Sequence, residues 1–223
     1  MTRWLRLTSA GAVSVVVVLS IAAFAAAPAA KPSRAPAVED TLLRGRFLVI
    51  SHVCGDCHGG GSNPAATGWL AGMTTPRQEF RIGPCAAAPN DACFKTRPRN
   101  LTPDNLTGLG RFSERQIFNA LRYGLRPGET PDVEITSAVP GQGNFPAHPK
   151  YLAVPMPWTS WRHMPDQDLW AIAAYLKRGV KPVRNKVEDS EGPPDFWASA
   201  YTVEKIGPYP AVAFPAASEN RQQ

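Results

Sequence analysis

Apolar residues return at helical spacing in three stretches of the chain, and proline-broken or polar segments separate them. The first stretch begins at Asp40 or Thr41, either of which can cap a helix, and runs through Leu42, Leu43, Phe47, Leu48, Val49, Ile50 and Val53. Gly45 interrupts it at a cost of about 1 kcal/mol relative to alanine, which predicts close approach by another helix. The second opens with Ser113-Glu114-Arg115-Gln116, a capping-box pattern, carries Ile117, Phe118, Ala120, Leu121 and Tyr123, and stops at Gly124. The third is the best marked. Pro165 starts it, Asp166 and Asp168 occupy its first turn, Leu169, Ile172, Ala173 and Leu176 share one face, and Lys177, Arg178 and Gly179 end it.

The segments between these helices divide the chain. Residues 1–27 hold Arg3 and Arg6 before an apolar run from Leu7 to Ala27, the pattern of a signal peptide or an N-terminal anchor, and both place the rest of the chain outside the cytoplasm. Residues 28–39, with prolines at 28, 32 and 36, read as a linker, and residues 40–182 as the folded domain. Within that domain the glycine-rich stretch from Gly59 to Gly72 carries Trp69 and Leu70 as its only bulky apolar pair, and residues 125–155 show no period and read as a long loop. Residues 183–223 form a proline-rich C-terminal extension, which Phe196, Trp197 and Tyr201 predict to pack on the domain rather than hang free.

Composition narrows the classes. With 223 residues, 43% of them hydrophobic and 19% charged, the chain fits one globular domain plus extensions. The formal charge of +6 includes Arg3 and Arg6, and no Lys/Arg cluster alternates with aromatics, so nucleic acid is not expected as a partner. The surplus reads as solvated surface with weak attraction to acidic proteins.

The chemistry lies where the first helix ends, at Cys54-Gly55-Asp56-Cys57-His58. Two cysteines three apart can form thioethers to the two vinyl groups of one haem, and the histidine after them then presents its ring to the iron. A zinc site needs two further ligands, and Cys85 and Cys93 are eight apart with no histidine beside them. A disulfide-exchange pair expects a strand before the motif, whereas here a helical pattern precedes it. Outside the cytoplasm, a local disulfide between Cys85 and Cys93 is the simplest account of that pair, with buried free thiols as the alternative.

His58 leaves a second axial position, for which Met73, Met156, Met164, His52, His148 and His163 are the candidates, or no protein ligand at all. The ligand must lie on a loop that crosses the opposite face and returns to a helix packed on the first. Met156 meets that condition between Pro155 and Pro157, which restrict the backbone around it. Met164, just before Pro165, reads instead as the apolar staple of the third helix.

Taken together, Gly45-Arg46-Phe47-Leu48 before Cys54-Gly55-Asp56-Cys57-His58, Asn100-Leu101-Thr102-Pro103-Asp104 with Thr107-Gly108-Leu109-Gly110-Arg111-Phe112-Ser113, Pro155-Met156-Pro157-Trp158 and Asp168-Leu169-Trp170-Ala171-Ile172-Ala173-Ala174-Tyr175-Leu176 resemble a class I c-type cytochrome. More narrowly, the likeness is to the haem modules of cytochrome subunits that serve bacterial periplasmic dehydrogenases. It implies an all-α class I cytochrome c fold, three core helices around one covalent haem c with His/Met ligation, and Asn100, Thr102 and Trp158 near the cofactor. It also implies that the first and last helices cross through Gly45, Phe47, Tyr175 and Leu176. Such subunits often carry three modules; this sequence has one haem motif. The expected function is periplasmic electron transfer between a dehydrogenase or oxidase and another redox protein, without catalytic activity of its own. A haem enzyme or ligand sensor with an open sixth position is the alternative, and membrane contact is expected only if the N-terminal segment is retained.

Overall fold

The computed structural model describes residues 38–73, 79–85, 93–193 and 195–207, so the proposed export segment, most of the linker and the end of the extension lie outside the described residues. In chain order the elements are α1 (Val38–Ser51), α2 (Cys54–His58), β1 (Phe80–Ile82), β2 (Phe94–Thr96), α3 (Glu114–Tyr123), α4 (Trp158–Trp161), α5 (Asp166–Arg178) and α6 (Val203–Ile206). Regular structure is therefore mostly helical. The expectation of an all-α chain is corrected by an antiparallel pair in which Phe80 faces Thr96 and Ile82 faces Phe94. Strands of three residues are too short to show a period, and Cys85 and Cys93, bonded as a disulfide, close the hairpin between them.

Helix α1 starts at Val38, two residues before the expected cap, with Glu39 and Asp40 in its first turn where the helix dipole favours carboxylates. It crosses α5 at Gly45: a Cβ there would lie 2.0 Å from the Ala171 carbonyl oxygen and 2.6 Å from the Tyr175 Cβ. That crossing fixes which stripe of α1 is buried. Leu48 and Val49, three and four residues on, enter the core with Tyr175 and Leu176, and Phe47 is turned out at 58% exposure. The expected contact through Phe47 is thus corrected, since a residue two positions from Gly45 points to the far side of the helix. Arg44, on the near side, donates from Nε and Nη2 to the two carboxylate oxygens of Asp168, each at 2.9 Å.

Helix α3 carries the capping box in full. Ser113 accepts from the Gln116 N–H, and the Gln116 side chain accepts from the Ser113 N–H. Its apolar stripe packs on α5, where Phe118 stacks on Trp170 at 4.5 Å, and Trp69 and Leu70 from the glycine-rich segment complete this main core. Lys177, in the last turn of α5, donates to the carbonyls of Leu109, Gly110 and Phe112, which pins the preceding loop to the helix end.

Residues 125–155 hold no regular element beyond a short 3-10 turn at Pro127–Glu129 but are not loose. Leu125, Ile135, Phe145 and Tyr151 gather with Tyr123 and Trp158 into a second apolar cluster, covered by Tyr201 and Ile206 of the extension. Gly124 makes this possible: it ends α3 with φ 69°, and any Cβ would meet the Trp158 ring at 2.2 Å.

The helix crossing can be tested in two ways. Gly45→Ala should destabilise the protein by about 3 kcal/mol, because a backbone carbonyl stands where the methyl must go, and chemical denaturation will measure it. The bonds from Arg44 hold the Asp168 carboxyl below the usual carboxylate range. A depressed folded-state pKa contributes stability above the ordinary value and loses it as pH falls through the folded one. Asp168→Asn should therefore lower the urea midpoint at about pH 7, and the difference should shrink as the pH falls below the ordinary aspartate range and through the depressed folded-state value.

Candidate haem site

The five residues of the motif form α2, set off from α1 by Val53, whose φ of 52° is an unusual left-handed conformation for a β-branched residue. This break turns the chain so that Cys54, Cys57 and His58 lie on one short helix. Both cysteines are free thiols, Cys54 half-buried and Cys57 exposed, and burial pushes the Cys54 pKa up to about 12, which keeps it a thiol. Among the described residues no group of three or more His, Cys, Asp or Glu side chains is placed to hold a metal ion.

His58 is buried, and its Nδ1 lies 2.6 Å from the backbone oxygen of Arg99. A carbonyl can only accept, so Nδ1 carries the proton and Nε2 presents its lone pair. Burial lowers the His58 pKa, with the Arg99 carbonyl opposing, and so favours the neutral ring. A neutral imidazole with Nδ1–H held by a backbone carbonyl is the form that ligates a metal through Nε2. Two thiols and this ring on one helix fit a covalently attached haem.

The segment that supplies the carbonyl is itself stitched in place. The Gly72 N–H donates to the His58 carbonyl, the Met73 N–H to Pro98 and the Leu101 N–H to Leu70. Asn100 and Thr102, expected near the cofactor, are almost fully buried. The Asn100 Oδ1 accepts from the Thr102 N–H and hydroxyl, and its Nδ2 donates to the Val183 carbonyl at 2.7 Å and to the Thr107 hydroxyl at 3.0 Å. The Asn185 Nδ2 donates in turn to the carbonyls of Ala71 and Met73. Arg99 and Asn185 escaped the sequence reading, and Thr107 entered it only as part of the family-like pattern, with no role. Arg99 acts through its backbone, which no side-chain pattern reveals, and Asn185 lies in an extension without periodicity.

The candidates for the second axial position separate by their surroundings. Met164 packs into the main core. The His52 Nδ1 is bonded to the Leu48 carbonyl, and its ring lies edge-on to Trp161. His148 and His163 are exposed. Met73 is half-buried in the stitched segment, where both its backbone polar groups are bonded. Met156 is half-buried in a turn closed by its own N–H to Ala153 and by the Trp158 N–H to its carbonyl. Trp158, next to it, is fully buried against Tyr151 and Tyr201 rather than in the main core.

No family model matches the chain. It is 28% identical over 181 residues to the fructose dehydrogenase cytochrome subunit of Gluconobacter japonicus, covering 81% of this chain and 30% of that protein. It is 28% identical over 155 residues to the gluconate 2-dehydrogenase cytochrome c subunit of Pantoea cypripedii, 69% of this chain and 27% of the relative. Against the cytochrome c subunit of the quinone alcohol dehydrogenase of Gluconacetobacter polyoxogenes, identity is 32% over 84 residues, 38% and 14% of the two chains. These homologues are cytochrome c subunits of bacterial dehydrogenases. The likeness supports haem c and electron transport. The chain spans less than a third of the length of each of these relatives.

The stitching can be tested at Asn100. Asn100→Ala removes a buried amide that satisfies the Thr102 N–H and two acceptors, and should cost about 3 kcal/mol in the haem-loaded protein. Hydrogen exchange at the Leu101 and Gly72 amides should speed up together, since both belong to the segment that holds His58.

Proposed function

We propose that the chain carries one covalent haem c, attached through Cys54 and Cys57 and ligated by His58 and Met156, and that it relays single electrons in the periplasm. The observation that carries this reading is the buried His58, whose Nδ1 is committed to the Arg99 carbonyl and whose Nε2 is left to ligate. When bound, the haem supplies a one-electron couple, and methionine as second ligand favours its reduced form relative to histidine.

The chain's own part is to hold both ligands so that little rearranges when the charge changes. His58 is held through Arg99 on one side and by the Gly72 N–H on its own carbonyl. Met156 is held between two prolines by the bonds of its turn and by the packing of Trp158. Asn100 and Thr102 support the carbonyl that orients His58, and Trp158 supports the methionine turn.

Export is supported by Arg3, Arg6 and the apolar run after them, and the Cys85–Cys93 disulfide suits an oxidising compartment. A dehydrogenase as electron donor is supported by the relatives, which are named as cytochrome subunits of such enzymes. The acceptor is then another redox protein or an oxidase.

Met156→Ala should abolish the near-infrared band that iron–methionine sulfur ligation gives the oxidised protein, and should leave haem attachment intact. Survival of the band would assign the ligand to another methionine, Met73 or Met164. A wild-type protein that is high-spin when oxidised and binds cyanide at once would replace electron relay by ligand binding.

A further inference from the structure

The extension lies along the edge of β2 that β1 does not occupy. The Lys95 N–H donates to the Glu191 carbonyl at 2.8 Å and the Glu191 N–H to the Lys95 carbonyl at 2.9 Å, while Phe94 and Thr96 on either side are in register with β1. β2 therefore runs between β1 and the extension. The fit is close. Gly192 has φ 100°, and a Cβ there would lie 2.1 Å from the Cys93 carbonyl oxygen. The buried Arg97 ties the three segments together: its Nη2 donates to Glu79, just before β1, and to Glu191, and its Nη1 donates to the Asp189 carbonyl. Thr96 adds a hydroxyl contact to Ser190 at 3.0 Å.

This joint sits two residues from the carbonyl that orients the haem ligand. Arg99 donates from Nη1 to the Val187 carbonyl of the extension, and its own carbonyl receives the His58 Nδ1–H. The joint has one covalent closure, the Cys85–Cys93 bond where the hairpin turns. A two-stranded ribbon of three-residue strands is marginal without support, so the pairing of β1, and with it the contact from Glu79 to Arg97, leans on that bond. Both cysteines are half-buried and within reach of a reductant. We propose that the Cys85–Cys93 bond is a thiol-sensitive clasp: closed, it holds the extension and Arg99 so that the Arg99 carbonyl binds His58 firmly, and opened, it loosens that hydrogen bond and raises the reduction potential of the haem. A firm bond at Nδ1 makes the ring a stronger donor at Nε2 and favours the oxidised form, so weakening it favours the reduced one. The proposal rests on the haem reading above.

The opening reaction is thiol–disulfide exchange with a dithiol reductant. One thiolate of the reductant attacks a sulfur of the pair and breaks the Cys85–Cys93 bond, and its second thiolate then displaces the remaining cysteine from the mixed disulfide. Cys85 and Cys93 end as thiols with two protons and two electrons, and the reductant ends as a disulfide. The haem motif calls for a reductant of the same class, because thioether formation consumes Cys54 and Cys57 as thiols in a compartment that oxidises dithiols.

The test uses the full haem-loaded chain. Dithiothreitol followed by iodoacetamide should alkylate Cys85 and Cys93, which a mass spectrum reads, since Cys54 and Cys57 are spent as thioethers. This form and Cys85→Ser/Cys93→Ser should both raise the reduced-to-oxidised haem ratio at a fixed applied potential by at least about threefold, which is about 28 mV at about 59 mV per tenfold for one electron. Reoxidation without alkylation should restore the starting value. Gly192→Ala, which drives the extension off Cys93 with the disulfide intact, should shift the potential in the same direction, and opening the disulfide in that variant should add less than it does in the wild type. Amide hydrogen exchange at Lys95, Glu191 and Leu101 should speed up in each opened form.

Faster exchange at Lys95 and Glu191 with a potential that is unchanged or falls would make the disulfide a brace of the hairpin only and overturn the clasp. A disulfide that dithiothreitol opens only after denaturation would overturn it too. If the untreated wild-type protein has no one-electron haem couple, the reading under the previous heading fails first, before any thiol is touched, and takes the clasp with it.

Discussion

The hydrogen bond from the His58 Nδ1 to the Arg99 carbonyl is the contact on which the rest of the site depends. A buried imidazole without a partner could carry its proton on either nitrogen and could turn about its bond to the chain. Placing a carbonyl opposite Nδ1 settles both, because that oxygen can only accept. The carbonyl belongs to a residue far along the chain with no regular structure of its own, so its position must be enforced from outside. Pro98, Leu101, Asn100 and Arg99 are each tied to a different neighbour, and the ties run to the glycine-rich segment on one side and to the extension on the other.

The extension is for this reason an integral part of the domain. Val183 supplies the acceptor for the buried Asn100 amide, and Asn185 closes the carbonyls of Ala71 and Met73. Further on, the buried Arg97 guanidinium is satisfied by Glu79, by Glu191 and by the Asp189 carbonyl, and Trp197 packs edge-on against Phe94. Removing the extension would strand several buried polar groups at once, and each stranded group costs more than its own bond contributed when made.

What was legible in the sequence is what repeats locally. The capping box at Ser113, the charged ends of α5 and the haem motif each use residues within a turn or two of one another, and each stands in the structure where the pattern put it. Contacts made by backbone atoms or by widely spaced side chains left no pattern. Leu125, Ile135, Phe145 and Tyr151 lie six to ten residues apart, which matches neither a helix nor a strand, yet they converge on one cluster. Phe47 shows the opposite failure. Its apolar character and place in the family-like pattern suggested a contact, but a crossing at Gly45, which the sequence did predict, leaves a residue two positions on facing the far side of the helix.

The second cluster gives the methionine turn its rigidity. Pro155 and Pro157 fix their own φ angles, but fixed dihedrals in an unanchored loop would leave the turn free to move as a unit. Trp158 removes that freedom. It is buried on the αL glycine that ends α3, stacks on Tyr151 at 5.8 Å, and meets Tyr201 of the extension edge-on at 4.9 Å. The loop that presents the proposed ligand Met156 is thus anchored to α3 before it and to the extension after it, while His58 is anchored through Arg99 to that same extension. Both sides of the proposed iron site therefore answer to one strap, and a displacement of either ligand would have to break contacts along it. That arrangement suits a centre that gains and loses single electrons, where each movement of a ligand adds to the barrier, better than one that must open a coordination position to a substrate.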